Sequence, residues 1–412
     1  TISFVVNDGT SNSNRATKDV SVTSTNDAPI VTTTNGVTAF TEGNNVTSAP
    51  VVVDTGVTVT DADTSTLTSA TVSITSNYQS GQDLLGFVNT NSTTFGNIAA
   101  SYNSSTGVLT LTSASATATV AQWQAALQSV TYTNSSEAPN TSTRTISFVV
   151  NDGNSNSNTA TKDVSVTSTN DAPLISGLDA TSPNATYAAP YVQGGTAVVI
   201  DPNATLIDGE LSVARDNWNG ATLTIARSGG ASSDDVFGAS GNLSFTGGNV
   251  TLSATTIGTY TNTAGTLTIT FTSANATAAR VNEMLQSITY SNSQTTSGSL
   301  NYNTVDLLFT VNDQNSNVTG GGNAGTTAGS QDQGNMGLLT ATGTIRINID
   351  RLPVVSPDTA SVAEGVATTD TTSVSGNVIT GGTADSDADS DTLTVVGGKT
   401  GAATSVAANY TA

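Results

Sequence analysis

The chain has 412 residues, 10 Lys+Arg against 31 Asp+Glu, a formal net charge of −21, and neither cysteine nor histidine. That balance excludes nucleic acid and anionic membrane as partners, because both select clustered positive charge. The two missing residue types exclude thiol and Ser-His-Asp nucleophiles, disulfides, haem ligation and nearly every zinc or copper site, which leaves cations held by oxygen.

In chain order, residues 1–29 (TISFVVNDGTSNSNRATKDVSVTSTNDAP) return at 145–173, with changes only at Thr10/Asn154 and Arg15/Thr159. A step of that size is domain-length and marks an array. Residues 1–28 read as the last two strands of one repeat, without an initiator methionine, so the chain is expected to be a section of a longer polypeptide. Residues 29–172 read as a complete repeat. Its predicted strands are Val51–Thr60, Leu67–Thr75, Gly107–Thr112, Ser129–Thr133, Thr145–Asn151 and Lys162–Thr167, separated by Gly/Asn/Ser/Asp turns. Alternation in Ile146/Phe148/Val150 and Val164/Val166 predicts strands with one buried face. Seven such strands make a β-sandwich. Ala118–Leu127 departs from this pattern, placing Val120, Trp123 and Leu127 on one face of a short helix.

Residues 173–352 read as a divergent second repeat: GTLTITF at 265–271 matches GVLTLTS at 107–113, LQSITYSN at 285–292 matches LQSVTYTN at 127–134, and FTVND at 309–313 matches FVVND at 148–152. Trp218, in the inserted RDNWNG, is expected to anchor its loop; the alternative is an exposed ring that stacks on a sugar. Residues 353–412 read as the opening strands of a following repeat, too short for a core of their own. No apolar run reaches the roughly 18 residues of a membrane span, and no signal peptide is visible. Near-identical hairpins also predict strand exchange between copies, giving a domain-swapped dimer at high concentration.

The acids fall in two sets. In a seven-stranded sandwich Asp61, Asp63 and Asp152 follow strands that end at the pole where the chain comes in. Glu42 and Glu137 belong to the pole where it leaves. The linkers Asn26-Asp27 and Asn170-Asp171 lie between adjoining poles, so the carboxylates are expected where one repeat meets the next. Converging carboxylates repel unless a cation holds them, and oxygen ligands at flexible spacing favour Ca²⁺ over Zn²⁺ and Mg²⁺. DSDADSD at 385–391 is not an EF-hand, since Ser390 and Val396 replace the required Gly and Glu. Nothing separates a catalytic acid from a base among these carboxylates, and no enzyme is expected.

SFVVNDG…VTSTNDAPIV resembles the end of a cadherin repeat, with its A-x-D-x-G strand end and D-x-N-D-x-x-P linker. Val150 stands where that pattern has Ala, Ser24 replaces the first linker Asp, and Pro29 comes one residue early. TDADT resembles the D-x-D element. The wider unit, with SYNSSTGVLTLTS, QWQAALQSVTYTN and TRTISFVVNDG, resembles the cadherin-like repeats of very large bacterial surface adhesins of the RTX/VCBS type. The tail SVAEGVATTDTTSVSGNVITGGTADSDADSDTLTVVGG resembles the start of related repeats.

The resemblance implies an all-β chain of tandem Ig-like, cadherin-like β-sandwiches, one short helix per repeat, in an elongated array. It implies calcium ligands Asn26, Asp27, Asp61, Asp63 and Asp152 near residue 28. Near residue 172 the implied ligands are Glu42, Glu137, Asn170, Asp171, Asp208, Glu210 (in place of the second Asp) and Asp313. Near 352 Gln193 stands where Glu42 does, SNSQTTSG lacks an acid, Arg351 interrupts the linker, and only Asp387 and Asp389 keep their spacing, so weaker or absent calcium is expected there. The implied role is a calcium-stiffened stalk section of a secreted or cell-surface adhesin, serving adhesion or biofilm cohesion. Partners would be calcium and a homophilic, cell-surface or carbohydrate receptor met through other domains. The alternatives are a structural matrix or surface-layer component, or a carbohydrate-binding module attached to an extracellular enzyme.

Overall fold

The repeated hairpin keeps its register to the residue. Strand β1 (Ile2–Phe4) pairs with β2 (Ala16–Lys18) as Ile2↔Lys18, Ser3↔Thr17 and Phe4↔Ala16. In the second copy the partners are Ile146↔Lys162, Ser147↔Thr161 and Phe148↔Ala160. There the alternation buries one face: Ile146, Phe148, Val150 and Val164 are fully enclosed.

The computed structural model describes residues 1–178, 190–314, 337–356, 379, 384–387 and 390–395. They divide into two units, Thr1–Glu42 with Thr47–Val166, and Gly43–Val46 with the chain from Thr167 onward. The first continues with β3 (Ile30–Thr32), β4 (Val37–Thr41), β5 (Val51–Val52), β6 (Thr58–Thr60), β7 (Ser69–Ser76) and β8 (Asp83–Gly86). After α1 (Ser92–Phe95) come β9 (Ile98–Asn103), β10 (Val108–Ser113), α2 (Val120–Gln128), β11 (Thr131–Asn134), β12 (Arg144–Asn151) and β13 (Ala160–Thr167). A six-stranded sheet, β4-β13-β12-β7-β10-β9, packs over a three-stranded one, β5-β11-β8, with the pair β3-β6 beside them. This is an all-β sandwich, but seven strands are too few to describe it.

Two local causes account for the difference. Val51–Thr60 is not one strand: Asp54 is buried and accepts the Thr34 and Gly56 N–H groups at 2.7 and 2.9 Å. That turn separates β5 from β6 and sends them to different sheets. The stretch before the helix adds β8 and β9 around α1. The helix itself starts two residues later than expected, because Thr119 and Gln122 form a capping box. Trp123 lies wholly inside the core and donates its indole N–H to the Leu67 carbonyl at 3.0 Å.

The second unit repeats the plan. β14 (Leu174–Ser176), β15 (Tyr191–Val192), β16 (Val198–Val199), β17 (Thr205–Ile207) and β18 (Thr222–Arg227) precede β19 (Asp235–Ala239). A hairpin, β20 (Leu243–Thr246) and β21 (Asn249–Leu252), then leads to β22 (Thr255–Thr263) and β23 (Thr266–Phe271). Last come α3 (Ala278–Leu285), β24 (Ile288–Asn292), β25 (Thr304–Asn312) and β26 (Thr340–Asp350). The large sheet runs β15-β26-β25-β18-β23-β22-β21-β20, beside β16-β24-β19 and β14-β17. Trp218 is fully buried, edge-on to Phe271 at 6.3 Å, with its N–H on the Ser212 hydroxyl. It anchors its loop, and the sugar-stacking alternative loses its ring. Among the described residues no helix is long and apolar enough to cross a membrane.

Among the described residues each core also holds a buried aspartate paired with an arginine. In the first unit Arg144 contacts Asp83 at 3.2 Å with both side chains wholly buried, and Tyr132 and Asn134 each donate to Asp83 at 2.6 Å. In the second, Asp235 takes Tyr290 at 2.8 Å and Arg227 at 2.6 Å. The arginine comes from β12 in one unit and from β18 in the other. Removing one partner leaves a buried charge uncompensated. Arg144→Met should therefore destabilise the first unit by about 3–5 kcal/mol in urea unfolding, and Asp83→Leu/Arg144→Met should recover much of that loss.

Candidate functional site

A polar linker becomes a site here because acidic residues on two separate turns reach it. In the second unit the linker runs into Asn170 and Asp171, both with no exposed surface. The Asn170 amide donates to Asp313 Oδ2 at 2.7 Å and to the Gly337 carbonyl at 2.9 Å. Asp313 follows β25, and Leu339 N–H returns to it at 2.9 Å. The Asp171 N–H donates to Glu210 Oε2 at 3.2 Å, and the Asn45 N–H donates to Asp171 Oδ1 at 2.5 Å. Asp208, just after β17, folds its own turn by accepting the Glu210 and Leu211 N–H groups at 3.0 and 2.8 Å. Glu210 is therefore held pointing at the linker, and one of its carboxylate oxygens lies within 4.8 Å of one of Asp171.

The first unit builds the same pattern around the first linker. The Asn26 amide donates to Asp152 Oδ2 at 2.8 Å, and the Asp27 N–H donates to Asp63 Oδ2 at 3.1 Å. Asp61 accepts the Asp63 and Thr64 N–H groups at 3.1 and 2.8 Å. An open hollow of about 410 Å³, lined by Asp27, Ala28, Ile30, Thr60, Asp61 and Ala62, adjoins it. Asn26 and Asp27 are exposed here, whereas Asn170 and Asp171 are enclosed. Glu42 is buried directly after β4, and Glu137 is half-buried between β11 and β12. Sequence reasoning missed Asn45, which caps Asp171, and Asn154, whose amide donates to Asn26 Oδ1 at 3.1 Å. Asn154 is one of the two positions at which the repeated block differs, which was the available signal.

Electrostatically the second site is loaded. Burial, and then the charge of Asp313, push the Asp208 carboxyl above the ordinary carboxylate range, against the pull of the Leu211 N–H. Burial, then Asp208 and Asp171, push Glu210 up as well. Four buried oxygens in these two constellations, Asp61 Oδ2, Asn170 Oδ1, Asp208 Oδ2 and Glu210 Oε1, accept no hydrogen bond among the described residues. Leaving such atoms unpaired costs stability, and an oxygen-seeking cation at each constellation would satisfy them. The donor set is carboxylate, amide and carbonyl oxygen throughout, which fits a hard dication.

At the end of the second unit the chemistry changes. Gln193, nearly fully buried, accepts the Leu352 N–H at 3.0 Å. It donates to the carbonyls of Gln294 and Thr296 at 3.1 and 2.6 Å and to Ser299 Oγ at 2.9 Å. Both ends of this amide are satisfied without a cation. Asp387 is among the described residues, while Asp389 lies outside them.

No family model matches the chain. Halomucin of Haloquadratum walsbyi is 36% identical over 140 residues, a stretch that covers 34% of this chain and 2% of halomucin. Among solved structures, the protocadherin gamma B2 extracellular cadherin domains 1–5 align at 10% identity and a TM-score of 0.22, covering 81% of this chain and 42% of theirs. The human desmocollin-1 ectodomain aligns at 10% identity and 0.22, covering 80% and 43%. Human CDH23 EC21-23 aligns at 11% and 0.23, covering 80% and 73%. Scores of this size carry no argument about family or activity.

Two outcomes follow from the site. A carboxyl whose folded pKa is raised binds protons that the unfolded chain, titrating near 4, has already shed, so stability falls as pH rises through that window. With divalent ions chelated, the second unit should melt at a lower temperature at pH 8 than at pH 5, read by calorimetry. Gln193→Glu replaces a donor with a carboxylate facing two carbonyls, and should cost about 1–3 kcal/mol in chemical unfolding whether or not calcium is present.

Proposed function

We propose that this chain is a section of the stalk of a large extracellular, secreted or cell-surface adhesin, in which Ca²⁺ holds each Asn-Asp linker and stiffens the succession of repeats. The observation that supports it most is the duplicated constellation: two linkers, two aspartate turns and two strand-end aspartates joined by the same hydrogen bonds, with unpaired buried oxygens left in both. Asn26, Asp27, Asp61, Asp63 and Asp152 would hold one ion. Asn170, Asp171, Asp208, Glu210 and Asp313 would hold the other. Glu42 and Glu137 join the second set on the sequence pattern alone. Bound there, calcium supplies charge neutralisation and oxygen coordination to a linker that otherwise gathers carboxylates against one another.

The chain is read as tandem repeats over 29–172 and 173–352, between parts of two further ones. Cell or surface adhesion and biofilm cohesion are the roles that such a stalk serves, and no catalytic role is assigned. The burial of Trp218 withdraws the local support for a carbohydrate-binding module. Extracellular oxygen-only sites bind calcium with Kd of roughly 10⁻⁴–10⁻³ M. Calcium at tens of Kd should then stabilise the second unit by about 2 kcal/mol relative to chelator, and Asp208→Asn should remove most of that gain. Small-angle scattering should show a longer maximum dimension in calcium than in chelator. Identical melting and identical dimensions in the two conditions would sink the proposal.

A further inference from the structure

We propose that strand β9, the outer edge of the first unit's large sheet, pairs antiparallel with β9 of a second copy of this chain. Edge strands in soluble proteins are normally blunted by charge, proline, a bulge or a covering segment. β9 (IAASYN) has no charge and no proline, and its register with β10 runs unbroken from Ile98↔Ser113 to Asn103↔Val108. Ala99, Ala100, Ser101 and Asn103 are exposed. In an antiparallel ladder alternate residues turn N–H and C=O away from the neighbour. The Ile98 carbonyl meets Asn89 Nδ2 at 3.0 Å, but from Ala99 to Tyr102 no backbone group has a partner beyond β10 among the described residues.

The second unit shows what this edge accepts. Its equivalent strand, β22, pairs with β23 from Gly258↔Phe271 to Thr263↔Thr266, and GTLTITF aligns with GVLTLTS of the first unit. There β21 pairs antiparallel along Thr255–Thr259, and the Gly248 carbonyl takes the N–H of Tyr260 at 3.0 Å. Tyr260 holds the position of Ala100. The divergent repeat thus covers its own edge with the β20–β21 hairpin, and the first repeat has α1 in place of that hairpin.

The occupant follows from charge and symmetry. No Asp, Glu, Lys or Arg lies between Asp83 and Glu137, in a chain of net charge −21. Two β9 strands therefore meet about a two-fold axis without setting carboxylate against carboxylate, and each presents to the other the same set of donors and acceptors. An acidic or basic peptide finds no complementary charge there. A pair of short strands buries well below the roughly 1,200 Å² of a stable interface, so a single pairing is weak. Repetition along aligned chains would strengthen it.

Sedimentation of the full chain over a wide concentration range tests this, in calcium and in chelator alike. The wild-type chain should show a dimer that grows with concentration. Ala100→Pro removes an outward N–H, and Ser101→Lys places like charges across the two-fold axis. Each should weaken dimerisation by about tenfold or more. Ser101→Lys should leave the melting temperature unchanged, so it decides the matter if the proline variant misfolds. A chain that stays monomeric at the highest concentrations overturns the proposal. So does a dimer of unchanged strength in both variants, which would assign association to exchange of the repeated hairpin.

Discussion

A buried carboxylate oxygen with no proton donor facing it is the constraint on which the rest depends. Asp208 and Glu210 each carry such an atom, inside a unit whose core aspartate, Asp235, is answered by both an arginine and a tyrosine. Asp83 and Asp235 show how this fold neutralises a carboxylate when nothing else is intended: a guanidinium and a phenol are brought to it. Asp61, Asp208 and Glu210 receive backbone N–H groups on one carboxylate oxygen only, and the other oxygen of each is of the kind a hard cation would coordinate.

Gln193 marks the contrast within the same chain. Where Glu42 has a carboxylate, Gln193 has an amide whose nitrogen and oxygen are both taken by the protein. A neutral side chain that completes its own bonds asks nothing of the solvent. The two chemistries divide the linkers into a pair that would respond to a cation and one that is pinned by direct hydrogen bonds.

Much of this was legible in the sequence because it rests on short periods. The alternation of Ile146, Phe148 and Val150 named the buried face, and the helical spacing of Trp123 and Leu127 placed the helix. The D-x-D element and the Asn-Asp linkers named the two constellations, since aspartate before a tight turn accepts the N–H groups that follow it. What was not legible required long-range information. Val51–Thr60 reads as one strand by its valines, although Asp54-Thr55-Gly56 is a turn signal within it; the further bond from Thr34, on a distant turn, has no local signature. The turns around α1, at Gly81, Gly96 and Gly107, are marked in the sequence, but nothing local says that β8 joins the small sheet and β9 the large one. Asn45 acts through its backbone N–H, which carries no sequence signature. The arginine that serves the core aspartate changes strand between repeats, so no spacing rule finds it.

The central claim is that a dication completes the two Asn-Asp constellations. Anomalous diffraction from crystals of this chain grown with calcium, or with a lanthanide in its place, tests it most directly. The account predicts density among Asn170, Asp171, Asp208 and Glu210 and among Asn26, Asp27, Asp61 and Asp63, with none beside Gln193. Clear density for these side chains and no metal peak at either constellation would contradict it.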